Sequence, residues 1–349
     1  MIVAKVPVVG IILGDQAGIG PEVVAKAIAH NEGRYLPVLF GNRALFEQII
    51  KQYPYCAKLK TVPADTVHAD FSDGAAGYFV DVPAGPDISI GRVSGDSGKL
   101  IYDSIAAAIR YHRAGQTEGL VMAPITKHAL YAAGIKFSSE FEIFADLYAV
   151  PSVKSVIKCE GIFRSTVVGH CPFIEIVGKL NTGAIIDTAN DLLAVMRMFM
   201  PIQECKIAIA ALNPHAGEDG LFGSEEAEII APAVESLLKA GYQVIGPCPA
   251  DTVFLKARSG EVGGIVYLYH DQGNIAMKSS FFGAGVLIYT KIPGHIVSVG
   301  HGSALDIAGK NIADANNLIV SIDTLLNILK IENPQASQEN NSTRKEANA

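Results

Sequence analysis

Short, unbroken apolar runs alternate along nearly the whole chain with stretches whose apolar residues recur at helical spacing. This rhythm limits the fold more than any other feature. Val8–Leu13, Val38–Phe40, Gly119–Met122, Arg164–Val168, Lys206–Leu212, Gln243–Ile245 and Gly264–Tyr269 read as strands. Leu100–Tyr111, Thr188–Phe199, Glu225–Lys239 and Val320–Ile331 read as helices, and another helix opens at about Pro21. Strands that lack polar alternation need cover on both faces, so the pattern predicts an α/β protein with a mostly parallel sheet beneath helices. At 349 residues the chain is long for one domain and comfortable for two. The polar tail after Pro334 is expected to be disordered.

Charge and cysteine usage exclude several functions. Acidic residues outnumber basic ones 35 to 28, a net charge of −7, which gives no general reason to bind nucleic acid or an anionic membrane. No apolar run reaches the roughly 20 residues that span a bilayer. The apolar start runs straight into Asp15 and a glycine-rich loop, which reads as a first buried strand and not as a signal peptide. Cys56, Cys159, Cys171, Cys205 and Cys248 are odd in number and never spaced as CxxC, which predicts reduced thiols in a cytoplasmic protein.

Several strings could carry chemistry. GDQAGIGPE (residues 14–22) follows a strand and opens a helix. Its glycines permit a tight turn or a close ligand, and Pro21 and Glu22 suit the start of a helix. Its spacing is not the dinucleotide fingerprint, and a tight strand-to-helix turn is the simpler reading. His170, His215 and His270 each stand at a strand end. They are either imidazole ligands facing a crevice or hydrogen-bonded loop histidines, and spacing alone favours the second. Asp251 and Asp271 could be paired carboxylates beside a metal, and for Asp251 a helix or turn cap is the simpler local reading. Lys127 and Lys278 are either substrate-binding cations or solvated lysines. HGSALDIAGK (residues 301–310) suits a loop wrapped around a nucleotide, and as composition it is also an ordinary loop–helix junction.

Taken in order, GDQAGIGPE, APITKHAL, NPHAGEDGLFGSEEAEIIAPAV, GPCPADTVF, YHDQGNIAMK and HGSALDIAGK resemble the 4-hydroxythreonine-4-phosphate dehydrogenase (PdxA) family, from about residue 10 to residue 320. The resemblance implies an isopropylmalate/isocitrate-dehydrogenase-like fold of two α/β subdomains with a cleft between them. Residues 1–125 plus 275–334 would bind NAD, 126–274 would carry the metal and dimer contacts, and 335–349 would be a disordered tail. It implies a homodimer with a shared active site, and a divalent ion (Zn, Mg, Mn or Co) on His170, His215 and His270. It implies catalytic Asp251, Asp271 and Lys127, with Lys278 on substrate. NAD would lie against His301, Gly302, Ser303, Ala304, Asp306, Gly309, Lys310 and Asn316.

The chain departs from the family at its substrate contacts. Glu140 and Phe141 stand where the family carries His and Thr, Leu287 where it carries Asn, and Ile296 where it carries Arg. These changes remove donors for a phosphate and add a like charge. VSVGHGSALDIAG, with Gly300 where the phosphothreonine enzymes carry Asp, resembles a branch that oxidises cis-dihydrodiol carboxylates. The expectation is therefore an NAD- and metal-dependent dehydrogenase of a hydroxy acid or cis-dihydrodiol carboxylate, with decarboxylation. The alternatives are 4-hydroxythreonine-4-phosphate or phosphothreonate oxidation, and a catalytically silent ligand-binding relative.

Overall fold

The computed structural model describes residues 6–31, 33–49, 53–66, 71, 73–137, 139–281 and 285–332. The tail 335–349 lies outside the described residues. Two compact units divide the chain, one built from the described parts of Met1–Lys154 and Lys291–Ala349, the other from Ser155–Thr290.

In the first unit the chain runs β1 (Val8–Ile12), α1 (Gly20–Ala29), β2 (Leu36–Gly41), α2 (Arg43–Ile49), β3 (Lys60–Pro63), β4 (Tyr78–Asp81), α3 (Gly95–Arg113), β5 (Gly119–Met122), α4 (Lys127–Ala132) and α5 (Glu140–Tyr148). All of β1 and β5 is buried, as expected of central strands in a parallel sheet. α3 starts well before the apolar run that betrays it, because Ser94 and Ser97 form a capping box.

The second unit contains β6 (Lys154–Cys159), β7 (Ile162–Val168), α6 (Ile176–Lys179), α7 (Thr182–Met196), β8 (Lys206–Ala210), α8 (Ala231–Lys239), β9 (Gln243–Cys248), α9 (Val253–Arg258), β10 (Gly264–Tyr269), α10 (His270–Ser280) and β11 (Val286–Thr290). The chain then returns to the first unit with β12 (Ile296–Val299) and α11 (Asn316–Glu332). The sheet order is β3-β4-β2-β1-β5-β12 in the first unit, all parallel, and β11-β6-β7-β10-β8-β9 in the second. There β7, β10, β8 and β9 are parallel neighbours, and β6 and β7 form an antiparallel hairpin.

The division falls elsewhere than expected. Residues 126–154 stay with the first unit because α4 and α5 pack on α3. The second unit keeps the chain up to Thr290 because α10 packs on β7 and β10, and β11 packs on α7. One face of its sheet carries a core of Ile162, Ala208, Ile265 and Tyr267 under Phe254 and Met277. No helix among the described residues is long and apolar enough to cross a membrane.

Candidate active site

The metal-type residues all belong to the second unit and gather at one end of its sheet. His170 lies just past β7, His270 is the first residue of α10 directly after β10, His215 follows β8, and Asp251 follows β9. The carboxyl ends of adjacent parallel strands are where α/β proteins place ligands. The rings of His170 and His270 stand 4.9 Å apart between centroids. His270 Nδ1 lies 2.7 Å from Asp271 Oδ1, an acceptor, so in a neutral ring Nε2 is the nitrogen that carries the lone pair. An imidazole anchored through its other nitrogen by a carboxylate is the usual state of a metal-binding histidine, so this pair fits a divalent ion. Among the described residues of one chain, no three His, Cys, Asp or Glu side chains converge as a metal site.

Side chains that the sequence reading passed over fix these loops. Gln272 accepts from the Leu268 N–H and donates to the Ala211 carbonyl, both at 2.8 Å, so it ties the start of α10 to the end of β8. Asn274 donates to the His270 carbonyl at 3.1 Å and accepts from the Arg164 guanidinium on β7. Arg164 is 5% exposed, and burial pushes its pKa down to about 10.

The loop carrying His215 is unusual. His215, Ala216, Gly217, Glu218 and Asp219 all have φ between 44° and 80°. Four of them are not glycine, and each non-glycine residue in the left-handed region costs about 1–2 kcal/mol. Glu226 sits beneath the loop, in a π-helical turn over Glu226–Ile230. Its Oε1 accepts from the Leu212 and Asn213 N–H groups, both at 2.8 Å, and its Oε2 accepts from Asn213 Nδ2 at 2.9 Å. Burial pushes its carboxyl up, but the hydrogen bonds from Asn213 and Leu212 outweigh that and hold it below the usual glutamate value. The only sequence signal was a carboxylate opening the helical run after the histidine string.

Lys278 is exposed near the end of α10, Asp251 is exposed in the turn before α9, and Leu287 is half-buried on β11.

In the first unit the glycine loop is fully buried, and the turn reading holds. Gly14 has φ +65°, and a Cβ there would lie 2.3 Å from the Pro124 carbonyl oxygen. A Cβ on Gly18 would lie 2.6 Å from the Ser303 carbonyl oxygen. The Asp15 N–H donates to Pro124 and the Ile19 N–H to Ser303, both at 2.9 Å. The loop therefore binds two other motif strings to each other, with no room for a phosphate in its own turn. Burial raises the pKa of Asp15, and its Oδ1 accepts from the Ala17 N–H.

Glu22 does more than suit a helix start. It is buried and accepts from the Ala313 N–H at 2.7 Å and from Lys26 Nζ at 2.8 Å. Lys26 in turn donates to the Ala313 carbonyl at 2.7 Å, so α1 clamps the segment that follows HGSALDIAGK. From His301 onward the chain is a run of turns without a helix until α11. It exposes Gly302, Asp306, Gly309, Lys310 and Asn316, half-buries His301 and Ala304, and buries Ser303.

Lys127 and Glu140, the first residues of α4 and α5, form an ion pair at 3.8 Å, with Phe141 half-buried beside it. Ile296 was expected to touch substrate. It is 0% exposed, inside β12 where all four residues are buried, and offers a ligand no surface.

A family model described as "Pyridoxal phosphate biosynthetic protein PdxA" matches residues 34–325. A 4-hydroxythreonine-4-phosphate dehydrogenase of Beijerinckia indica is 35% identical over 314 residues, 89% of this chain and 92% of that protein. The crystal structure of a 4-hydroxythreonine-4-phosphate dehydrogenase from Klebsiella pneumoniae superimposes with a TM-score of 0.77 at 30% identity, covering 93% of this chain and 98% of that one. A terephthalate 1,2-cis-dihydrodiol dehydrogenase from Burkholderia xenovorans gives a TM-score of 0.64 at 26% identity, with the same coverage. The α/β fold is that of these dehydrogenases, and the chain belongs to the PdxA family.

Proposed function

We propose that this chain is an NAD-dependent, divalent-metal-dependent dehydrogenase whose substrate is an unphosphorylated hydroxy acid or cis-dihydrodiol carboxylate. The observation that carries the reading is the Lys127–Glu140 ion pair. Where the resemblance expects a neutral donor, the chain holds a carboxylate that already occupies the nearest lysine. Phe141 and Leu287 add apolar surface beside the positions of lost donors, and Ile296 is turned into the core. A dianionic phosphate gains nothing from that set, while a flat ring with one carboxylate suits it.

In this reading His170, His215 and His270 hold the ion, which when bound lowers the pKa of the substrate alcohol as a Lewis acid. Asp271 is engaged by His270, so the exposed Asp251 is the carboxylate that takes the alcohol proton. Lys278 holds the substrate carboxylate. Residues 301–310 and Asn316 would hold NAD⁺, which would supply the acceptor for the hydride of the carbinol carbon. Where a carboxylate lies β to the new ketone, its carbon–carbon bond breaks, CO₂ leaves, and Lys127 returns a proton to carbon.

A homodimer with a shared site belongs to the same proposal. Phe173, Ile174, Leu221 and Ile275 are between 66% and 92% exposed, on segments next to the three histidines. Large exposed apolar side chains on these segments are suited to an interface, and a second copy would supply the ligand that one chain does not bring together.

The second reading, oxidation of 4-hydroxythreonine 4-phosphate or phosphothreonate, is favoured by the higher identity to relatives with that activity. The test is NADH formation over a panel of diols and phosphorylated hydroxy acids, after chelation and again after restoring Zn, Mg, Mn or Co. Turnover that returns with metal supports the first reading if an unphosphorylated diol is used. No NADH from any compound, with metal still bound, leaves a silent binding protein.

A further inference from the structure

We propose that Glu226 is a positioning residue for the metal centre, holding the His215 loop in the conformation that presents the imidazole. The inference rests on the reading of His215 as a ligand. The loop runs through left-handed backbone from His215 to Asp219, four residues of which are not glycine. Such a run persists only where surrounding contacts over-determine it.

Glu226 is 6% exposed and supplies those contacts at the point where the chain leaves β8. One carboxylate oxygen accepts two consecutive backbone N–H groups, those of Leu212 and Asn213, and the other accepts the Asn213 side chain. The loop also folds back onto the carboxylate: a Cβ on Gly217 would sit 2.8 Å from Glu226 Oε2. The carboxylate therefore anchors the chain just before His215 and leaves no space for a side chain at Gly217 just after it. The π-helical turn that begins at Glu226 widens the helical run where it meets the loop, a distortion often found at functional sites.

The donor count explains why a carboxylate is required. Three N–H groups converge on both oxygens, and an amide offers only one acceptor atom. Glu226→Gln can keep both backbone bonds through its oxygen but sets an NH₂ against Asn213 Nδ2. Glu226→Ala loses all three bonds. The alanine variant is therefore the harsher change, and the glutamine variant is its graded counterpart should alanine fail to fold.

The experiment titrates Co²⁺ into the full-length wild type, Glu226→Ala, Glu226→Gln and His215→Ala, reading affinity and the visible ligand-field band. Amide exchange of residues 212–219 is followed in the same proteins. Loss of a residue that orients a ligand weakens metal binding by about 10–100-fold. The expected order of loss is Glu226→Ala above Glu226→Gln, with a shifted Co²⁺ band and faster exchange confined to 212–219. Wild-type affinity, band and exchange in Glu226→Ala, while His215→Ala loses metal, overturn the proposal. If wild type and His215→Ala bind Co²⁺ alike, the ligand reading of His215 fails and Glu226 has no metal-positioning role, whatever the exchange shows.

Discussion

Removing the Glu22 carboxylate should loosen the proposed nucleotide segment from a distance of almost 300 residues in sequence. In Glu22→Ala the Ala313 N–H loses its acceptor, and Lys26 loses the carboxylate while keeping the Ala313 carbonyl at 2.7 Å. The lysine side chain is 22% exposed and that of Glu22 2%, so this is a largely buried pair. Breaking such a pair from one side costs about 3–5 kcal/mol, and the surviving Lys26 contact puts the expectation near the lower end. Glu22→Gln keeps an acceptor for Ala313 and loses only the charge, so it should cost about 1.5–2 kcal/mol, at the lower end for hydrogen bonds to charged groups. At roughly 2–4 °C per kcal/mol for a domain of this size, alanine lowers the melting temperature by about 6–12 °C. If half of the 3 kcal/mol falls on ordering the loop for NAD, the Kd for NAD rises by about tenfold. Circular-dichroism melts and NAD titration by calorimetry measure both quantities. An alanine variant that melts with the wild type and binds NAD equally well would refute the clamp.

Three further outcomes follow from the same packing. Burial raises the folded pKa of Asp15, so its charged form costs stability above that raised value and nothing below the ordinary aspartate value near 3.9. Asp15→Asn, which keeps an acceptor for Ala17, should therefore raise the melting temperature at pH 8, and the gain should vanish as pH falls to 4. Arg164→Leu and Asn274→Leu should each destabilise by roughly 1–3 kcal/mol, because each leaves the other member of a pair between buried Arg164 and half-buried Asn274 without its partner. The double variant should recover part of that loss in a denaturant-melt cycle, and strict additivity would deny the contact. Ile174→Asp, at a residue 92% exposed, should shift the species seen by light scattering from dimer to monomer. An unchanged dimer would move the interface elsewhere.

The parts of the fold legible in the sequence were those with a single physical signature. β1, β5, β8 and β10 are buried runs, and such runs are unmistakable. β3 and β6 escaped notice because exposed or half-buried lysines interrupt them, and β12 because three apolar residues and a serine are too few to separate strand from helix. His270 was placed correctly at a strand end, yet that it also opens α10 was invisible, since HDQGNIAMK has no strong apolar stripe. The deepest gap concerns buried carboxylates. Glu22 and Glu226 look in sequence like the solvated residues of a first helical turn, and only contacts 291 and 13 to 14 residues away reveal them as anchors. Ile296 shows the converse: a position carried over from a family transfers a residue type but not the direction in which its side chain points.

The proposed function turns on loss of the family's phosphate contacts, so the decisive measurement is kcat/KM for a cis-dihydrodiol carboxylate beside 4-hydroxythreonine 4-phosphate, with NAD⁺ and the restored metal. Donors are missing at Glu140, Phe141 and Leu287, and at about 1 kcal/mol each, the low end for an unmade bond, the phosphorylated compound loses about 3 kcal/mol, or two orders of magnitude. A ratio of about 100 or more in favour of the unphosphorylated substrate is predicted. A clear preference for the phosphorylated amino acid would show that other donors rebuild the phosphate site and would contradict the assignment.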